Sequence, residues 1–266
     1  MKLGGSLITD KNRPHTLRPE ALTRLAGEIA EARRQLPGLN LLLGHGSGSF
    51  GHVPGKKYGT RLGVRTPEEW MGFVEVWREA RALNQLVMEA LLGAGLPAVA
   101  FPPSASVIAS GGQVAEWNLD PIRSALHNQL VPVVLGDVIF DRERGGTILS
   151  TEDLFFYLAG CLKPERILLA GVEEGVWQDY PACQELIPRI TPGSYPRIAA
   201  ALQGSAGVDV TGGMRTKVER MLSLATDIPG LEIAVFSGEK PGLVKAAILG
   251  ARPGTRITGD EEGGKS

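Results

Sequence analysis

One nine-residue stretch, G-H-G-S-G-S-F-G-H from Gly44 to His52, contains four glycines, two serines and two histidines. Glycine lets backbone N–H groups converge on an anion, and a helix that begins after such a turn adds partial positive charge. The stretch could instead hold a metal ion through His45 and His52, but it supplies no third Cys, His or carboxylate ligand. At this point the stretch can be a phosphate cradle or only a flexible loop, and a metal site is the weakest of the three interpretations. We interpret His45 as a structural residue.

Two further glycine turns accompany this cradle. One is K-L-G-G-S at the start of the chain, and the other is D-V-T-G-G-M, which begins at Asp209. Ligands of open parallel sheets bind at the carboxyl ends of the strands, where we expect these turns. A lone Gly-Gly turn is weak evidence for a phosphate site, whereas three such turns beside cations are stronger evidence, and neither a P-loop nor a dinucleotide-binding pattern is present. The cations are Lys2, Lys11, Arg215 and Lys217.

Short apolar runs alternate with amphipathic helical patterns along the chain. The runs lack polar alternation, which is typical of buried parallel strands covered by helices on both faces. We therefore predict an α/β fold, a three-layer αβα sandwich with a mainly parallel central sheet. Strands are predicted at residues 39–44 and 98–101 and from residues 131, 166 and 232. Helices are predicted from residue 19, over about 68–92, from residue 120, from about 151 and 214, and over 243–249.

Three segments call for separate interpretation. Residues 136–150 contain two β-like runs around a charged Gly-Gly turn, which predicts a hairpin. At the start of the chain a Gly-Gly turn follows only three residues, so either the first strand is very short or the recorded start is late. We expect one domain over residues 1–258 and a disordered tail over 259–266.

Composition narrows the class of ligand. The 266 residues carry a formal net charge of -1, which argues against a surface built for nucleic acid. The two cysteines match no disulfide or zinc pattern, and no apolar run approaches the length of a membrane span. A signal-peptide pattern is also missing. We expect a cytoplasmic protein with a small polar or anionic ligand and no membrane partner.

Taken in chain order, the motifs resemble the amino acid kinase superfamily, and within it the isopentenyl phosphate kinases. The resemblance runs from residue 2 to about residue 250 and includes Gly136-Asp137 besides the three glycine turns. The F-G-H that ends at His52, combined with D-V-T-G-G-M, is specific. Carbamate, acetylglutamate and aspartate kinases share the fold and the first Gly-Gly but are not expected to carry that histidine.

This resemblance implies ATP-dependent phosphorylation of isopentenyl phosphate by a Mg²⁺-dependent homodimer. It implies that Lys2 and Lys217 hold the ATP phosphates, that Lys11 stabilises the transferring group and that His52 donates a hydrogen bond to the acceptor phosphate. No protein ligand for the metal is assigned. The other residues implied for ATP are Gly4, Gly5, Ser6, Gly48, Asp209, Gly212 and Gly213. Those implied for the acceptor phosphate are Gly46, Ser47 and Thr151.

An isoprenoid tail also needs an apolar slot. Trp70, Phe73, Val74 and Trp77 share one stripe of the helix that follows the cradle. Ordinary core packing explains most such stripes. Contact of Trp70, Phe73 and Trp77 with the isoprenoid tail is therefore one hypothesis, and core packing is the alternative.

Several positions depart from the family pattern. The turn S-T-E-D places Thr151 where the family has the glycine of S-G-D-D, and Ser47 replaces a glycine of the cradle. Gly171 and Val172 stand where Thr and Asp are expected near the nucleotide. Two alternatives stay open on these grounds. One is a kinase for another small phosphate or phosphonate such as fosfomycin, and the other is a non-catalytic protein that binds a nucleotide or oxyanion.

Overall fold

The computed structural model of the chain describes residues 1–199 and 213–259. Its strands are β1 Lys2–Leu3, β2 Leu43–His45, β3 Ala98–Ala100, β4 Val107–Ser110, β5 Gln113–Trp117, β6 Val131–Leu135, β7 Asp137–Asp141, β8 Gly145–Leu149, β9 Arg166–Gly171, β10 Arg189–Ile190, β11 Glu232–Ser237 and β12 Thr255–Thr258. Its α-helices are α1 Gly5–Ile8, α2 Pro19–Gln35, α3 Gly48–Tyr58, α4 Pro67–Gly93, α5 Asp120–His127, α6 Thr151–Leu162, α7 Tyr195–Ile198, α8 Gly213–Asp227 and α9 Leu243–Ile248.

Eight of the described strands form the central sheet in the order β10-β12-β11-β9-β1-β2-β6-β3. Every neighbouring pair is parallel except β11 with β12. The predicted fold class is therefore confirmed. The first strand is very short, because β1 contributes only two residues, yet it pairs with β2 on one side and β9 on the other.

Apolar side chains fill both faces of this sheet. On β6, Val133 and Val134 point to opposite faces and join two different core clusters, and Leu168 and Leu169 of β9 divide in the same way. A strand that is apolar on both sides buries both of its faces, which is why these runs show no polar alternation. Helices α2 and α9 cover one face, and α6 and α8 cover the other.

A second, four-stranded sheet has the order β5-β4-β7-β8. The hairpin predicted over residues 136–150 is confirmed as antiparallel β7 and β8, whereas the hairpin of β4 and β5 was not predicted. The Asp141 carboxylate accepts hydrogen bonds from the N–H groups of Gly111, Gly112, Glu143 and Arg144. One side chain thus fastens the two hairpin turns together.

Parts of two predictions lie outside the described residues. These are Asp209 and Gly212 of the D-V-T-G-G-M motif and residues 260–266 of the expected tail. In the part of the chain that the structure does describe, no helix combines the length and apolarity needed to cross a membrane.

Candidate active site

The first two glycine turns lie in backbone contact. Strands β1 and β2 are parallel neighbours, so the turns that follow them leave the same edge of the sheet. A Cβ atom on Gly5 would lie 2.5 Å from the backbone N of Gly48, and one on Gly46 would lie 2.9 Å from the backbone N of Gly5. Gly48 also has a φ of +49°, which favours glycine. The two turns therefore meet through backbone atoms at these three glycines.

Two longer helices begin at this surface. Helix α3 starts at Gly48, and α6 starts at Thr151, whose hydroxyl donates a 2.6 Å hydrogen bond to the carbonyl of His45 at the end of β2. The first N–H groups of a helix lack partners within the helix and carry partial positive charge. Their convergence makes the carboxyl end of β2 suitable for an anion.

Glu152 connects two of the predicted lysines. Its carboxylate forms an ion pair with Lys2 from β1 and a second one with Lys217 from α8, at 3.4 Å. Burial raises the pKa of Glu152, but the two ammonium groups outweigh that effect and lower its pKa to about 2. Three elements that are distant in sequence thus place two cations beside the glycine turns.

The two histidines of the cradle have different environments. His45 is 1% exposed, and its ring nitrogens lie 3.1 Å from Asn84 Oδ1 and 3.1 Å from the Gly46 carbonyl oxygen. Burial lowers the pKa of His45. His52 is exposed on α3. The structural role predicted for His45 is confirmed, and the two rings do not converge on a common ligand.

Lys11 lies exposed in a loop that folds over α3. The backbone N–H of His15 donates to the carbonyl of Ser49, and that of Thr16 donates to the Ser49 hydroxyl. The ring of His15 lies 4.1 Å from that of Phe50, tilted by 41°, and pairs with Glu79 of α4. The loop that carries Lys11 is therefore attached to both helices.

An apolar cluster, separate from the two main cores, lies between α4 and the second sheet. Val64, Phe73, Val76 and Val138 form its buried part, and Trp70 and Ile148 pack against them. The Phe73 and Phe140 rings are 5.2 Å apart. We refer to these seven residues as the tail cluster.

Helix α3 connects the cradle to the tail cluster. It begins in the cradle at Gly48 and, two turns later, a Cβ on Gly55 would lie 3.1 Å from the side chain of Ile148. His52 lies about one turn before Gly55 and is exposed, whereas Gly55 is buried. A ligand whose anionic end lies at the cradle would have its other end directed toward apolar side chains.

Comparison with known proteins agrees with this geometry. Residues 1–237 match the amino acid kinase family. The chain belongs to this family. It is 34% identical to the isopentenyl phosphate kinases of Methanocaldococcus jannaschii, with 97% of each chain covered, and of Methanothermobacter thermautotrophicus, with 97% of this chain and 98% of the relative covered. It also matches a solved structure described as an X-ray structure of isopentenyl phosphate kinase, with 31% identity, a TM-score of 0.80 and coverage of 96% and 98%.

This amino acid kinase differs from its sequence-based description in two places. Trp77 is 41% exposed and Val74 is 49% exposed, so the predicted stripe divides and only Trp70 and Phe73 join the tail cluster. Thr151 is 1% exposed and its hydroxyl is bonded to His45. A Cβ on Gly44 would lie 2.6 Å from the Thr151 methyl group, so this side chain packs on the backbone of β2 and leaves only its N–H for an acceptor.

Two neighbouring carboxylates, Glu152 in the kinase site and Asp153 beside it, were given no role from the sequence. Glu152 binds both lysines, and its neighbour Asp153 pairs with Arg61 at 3.3 Å and with Arg220. A local signal was present, because Ser150 and Asp153 form a capping box at the start of α6. The signal marks a helix start, and it does not reveal which distant cations meet the two carboxylates.

Proposed function

We propose that the chain transfers the γ-phosphoryl group of ATP to the phosphate of isopentenyl phosphate, giving isopentenyl diphosphate and ADP. The observation that carries the proposal is the course of α3, which begins in the cradle, presents His52 and then meets the tail cluster. A phosphate joined to a short apolar tail fits that order of environments. Full-length similarity to isopentenyl phosphate kinases supports it.

In the proposed reaction, positioning and charge neutralisation do most of the work. An oxygen of the acceptor phosphate forms a bond to the γ-phosphorus while the bond from that phosphorus to the β–γ bridging oxygen breaks, and ADP leaves with the electron pair. Two polyanions must approach, which cations and backbone N–H groups make possible. Lys2 and Lys217, held by Glu152, would face the ATP phosphates together with Gly4, Gly5, Ser6 and the start of α8 at Gly213.

The acceptor phosphate would lie at Gly46, Ser47 and the N–H of Thr151, with His52 donating a hydrogen bond to it. Lys11 would approach the transferring group from its loop. A neutral or charged imidazole N–H donates to phosphate oxygens as well as to a carboxylate. A phosphomonoester is favoured over a carboxylate because this donor is combined with the two helix N-termini.

We propose that Mg²⁺ arrives with ATP. Among the described residues no group of three His, Cys, Asp or Glu side chains could hold a metal ion. Mg²⁺ usually keeps several waters and takes substrate phosphates as ligands, which supports this route. Once bound it would neutralise charge on the nucleotide phosphates.

We also propose that the kinase is a single domain over residues 1–258, works as a homodimer and is cytoplasmic. Cys161 and Cys183 are both free, which suits a reducing compartment. Support for a dimer comes from an exposed apolar stripe on α4 that includes Met71, Val74 and Trp77.

The test is release of ADP from the purified chain with Mg-ATP and one of four acceptors: isopentenyl phosphate, dimethylallyl phosphate, fosfomycin or acetylglutamate. Products are identified by mass. We expect turnover with the two isoprenoid monophosphates alone. Turnover with fosfomycin alone would favour the phosphonate kinase, and ATP binding without any turnover would favour the non-catalytic protein.

The same assay tests the role of His52. We expect His52→Ala to lower kcat/KM for isopentenyl phosphate about tenfold or more, the range for loss of one hydrogen bond to a charged group. His127, exposed at the end of α5, provides the control His127→Ala. Full activity of His52→Ala would exclude the acceptor-phosphate role.

A further inference from the structure

A cavity of about 540 Å³, with Asp153 in its lining, lies between the hairpin turns of the second sheet and α8. Three arginines from three separate elements line it: Arg61 from the turn after α3, Arg144 from the β7–β8 turn and Arg220 from α8. Its volume is within the range of small-molecule pockets. None of Lys2, His52 or Lys217 lines it, and of the tail cluster it shares Ile148.

The cavity has more cations than its carboxylates can neutralise. Arg61 and Arg220 share Asp153, which is 4% exposed on its side chain. The other carboxylate in the lining is Glu219, and it is bonded to Arg215 at 2.9 Å and to the Tyr195 hydroxyl at 2.6 Å. Asp153 therefore pairs with two of the three guanidinium groups, those of Arg61 and Arg220.

Most donors of these guanidinium groups are available to a ligand. Each group carries five N–H donors. In the described residues, Arg61 donates to Asp153 and to the carbonyl of Ile148, Arg220 donates to Asp153, and Arg144 donates to the carbonyl of Arg61. The Arg220 guanidinium also lies over the Phe156 ring, 5.4 Å from its centroid.

We propose that this cavity is a second anion site, which binds a small oxyanion with two or more negative charges, of the diphosphate class. Planar guanidinium groups bind phosphate oxygens in pairs, and three of them around one cavity match two linked phosphoryl groups better than a single carboxylate. Exposed polar side chains at the rim, Gln113 and Ser223, add further possible donors. The site does not depend on which acceptor the kinase phosphorylates.

The test is calorimetric titration of the full chain with inorganic diphosphate, and separately with inorganic phosphate, without Mg²⁺ and at constant ionic strength set with chloride. Arg144→Gln removes one cavity guanidinium, while Arg142→Gln removes the same charge two residues earlier on the same turn, where Arg142 pairs with Glu116 at 2.5 Å. Ser223→Asp adds a negative charge at the exposed rim and leaves the packing of the cavity intact.

We expect the wild-type chain and Arg142→Gln to show a diphosphate-binding event that is weakened about tenfold or more in Arg144→Gln and in Ser223→Asp. Phosphate should bind the same site more weakly than diphosphate. Diphosphate bound at the kinase site is distinguished from diphosphate bound in the cavity by two variants. Lys217→Ala weakens binding at the kinase site, and Ser223→Asp does not. Equal diphosphate binding by the wild type and both cavity variants would overturn the proposal, as would the lack of any event sensitive to Ser223→Asp.

Discussion

Glu152 holds together the two lysines that are proposed to bind the ATP phosphates. A Lys ammonium is a flexible point charge, and two of them repel each other unless an anion lies between them. The carboxylate is 13% exposed on its side chain and pairs with both Lys2 and Lys217. With a pKa of about 2 it stays ionised throughout the working pH range, so the arrangement exists before ATP arrives.

The first prediction at this scale concerns stability and pH. The pKa of Glu152 is depressed from 4.5 to about 2 on folding, so its contribution to stability is present above pH 4.5 and is lost as the pH falls toward 2. We expect Glu152→Gln to lower the free energy of unfolding at pH 7 by about 3 kcal/mol, from the size of that shift. Urea titrations of the wild-type chain and of Glu152→Gln between pH 7 and pH 3 measure this difference in the free energy of unfolding.

The matched control is Glu20→Gln, because Glu20 occupies the same second position of its helix α2 but is exposed. It should change the free energy of unfolding little at any of these pH values. If Glu152→Gln lowered the free energy of unfolding as much at pH 3 as at pH 7, the lost stability would not come from ionisation of this carboxylate.

The sequence indicates which residues could belong to the site more readily than it indicates which side chains those residues contact. The lysines, glycines and His52 were predicted from the sequence because they sit in recognisable turns, and their roles stay predictions. Glu152 and Arg220 could not, because their importance comes from a contact between α6 and α8, which are more than 50 positions apart in the chain. Thr151 is the opposite case. It occupies a motif position that could be recognised in the sequence, but its side chain packs on the backbone of β2.

At the scale of elements, the loop over residues 10–16 decides where Lys11 lies. Its backbone is bonded to Ser49 of α3, and the pair between His15 and Glu79 attaches a side chain of the loop to α4. Glu79 is well covered, with 14% of its side chain exposed. This pair therefore holds the loop across two helices, and His15 acts as a positioning residue.

The second prediction follows from that attachment. We expect His15→Ala to lower kcat about threefold to tenfold while KM for both substrates changes little, because Lys11 would contact the transferring group mainly in the transition state. Glu79→Gln should reproduce the effect in part. Glu75→Gln, one turn earlier on α4 and paired with Lys57 only at 3.9 Å, is the control. A rise in KM with unchanged kcat would show that the loop serves binding instead.

The third prediction concerns the tail cluster. Phe73 is 6% exposed within it, while Trp77 on the next turn of α4 is 41% exposed. We expect Phe73→Leu to enlarge the apolar slot and raise kcat/KM for monophosphates with a longer isoprenoid tail relative to isopentenyl phosphate. Trp77→Leu should leave that ratio unchanged. An unchanged ratio in Phe73→Leu, with the variant folded by circular dichroism, would remove Phe73 from the acceptor site.

Prediction of elements from the sequence succeeded where the apolar pattern was continuous. The strands β6, β9 and β11 are buried on both faces and were visible as runs. The strands β4 and β5 were missed because their exposed and buried residues mix, and because β4 finds its parallel partner in β7, which begins some 30 residues later. Their position, with Gly111 and Gly112 at the tip, is what closes the arginine-lined cavity.

At the scale of the whole molecule, the order of strands brings the chemistry together. Strand β1 lies between β2 and β9, so the two glycine turns become neighbours although 40 residues separate them. A crossover of this kind is typical of parallel sheets, but which strand becomes central cannot be inferred from local patterns. The fold class was therefore predictable, whereas the contact between the glycine turns required the structure.

The last prediction concerns assembly. Met71 and Val74 of α4 are 66% and 49% exposed, and Trp77 continues the same stripe toward the sheet edge at β3, where Val99 is 38% exposed. A stripe of this kind, left open to water, favours association with a second copy through the same face, because a twofold dimer covers both stripes at once. We expect the wild-type chain to sediment as a dimer and Val74→Glu to sediment as a monomer with an unchanged far-ultraviolet spectrum. Leu62→Glu, which places the same charge at an apolar residue that is 84% exposed but lies off α4, should remain dimeric. A monomeric wild type, or a Val74→Glu variant that remains dimeric, would show that this stripe is not the interface.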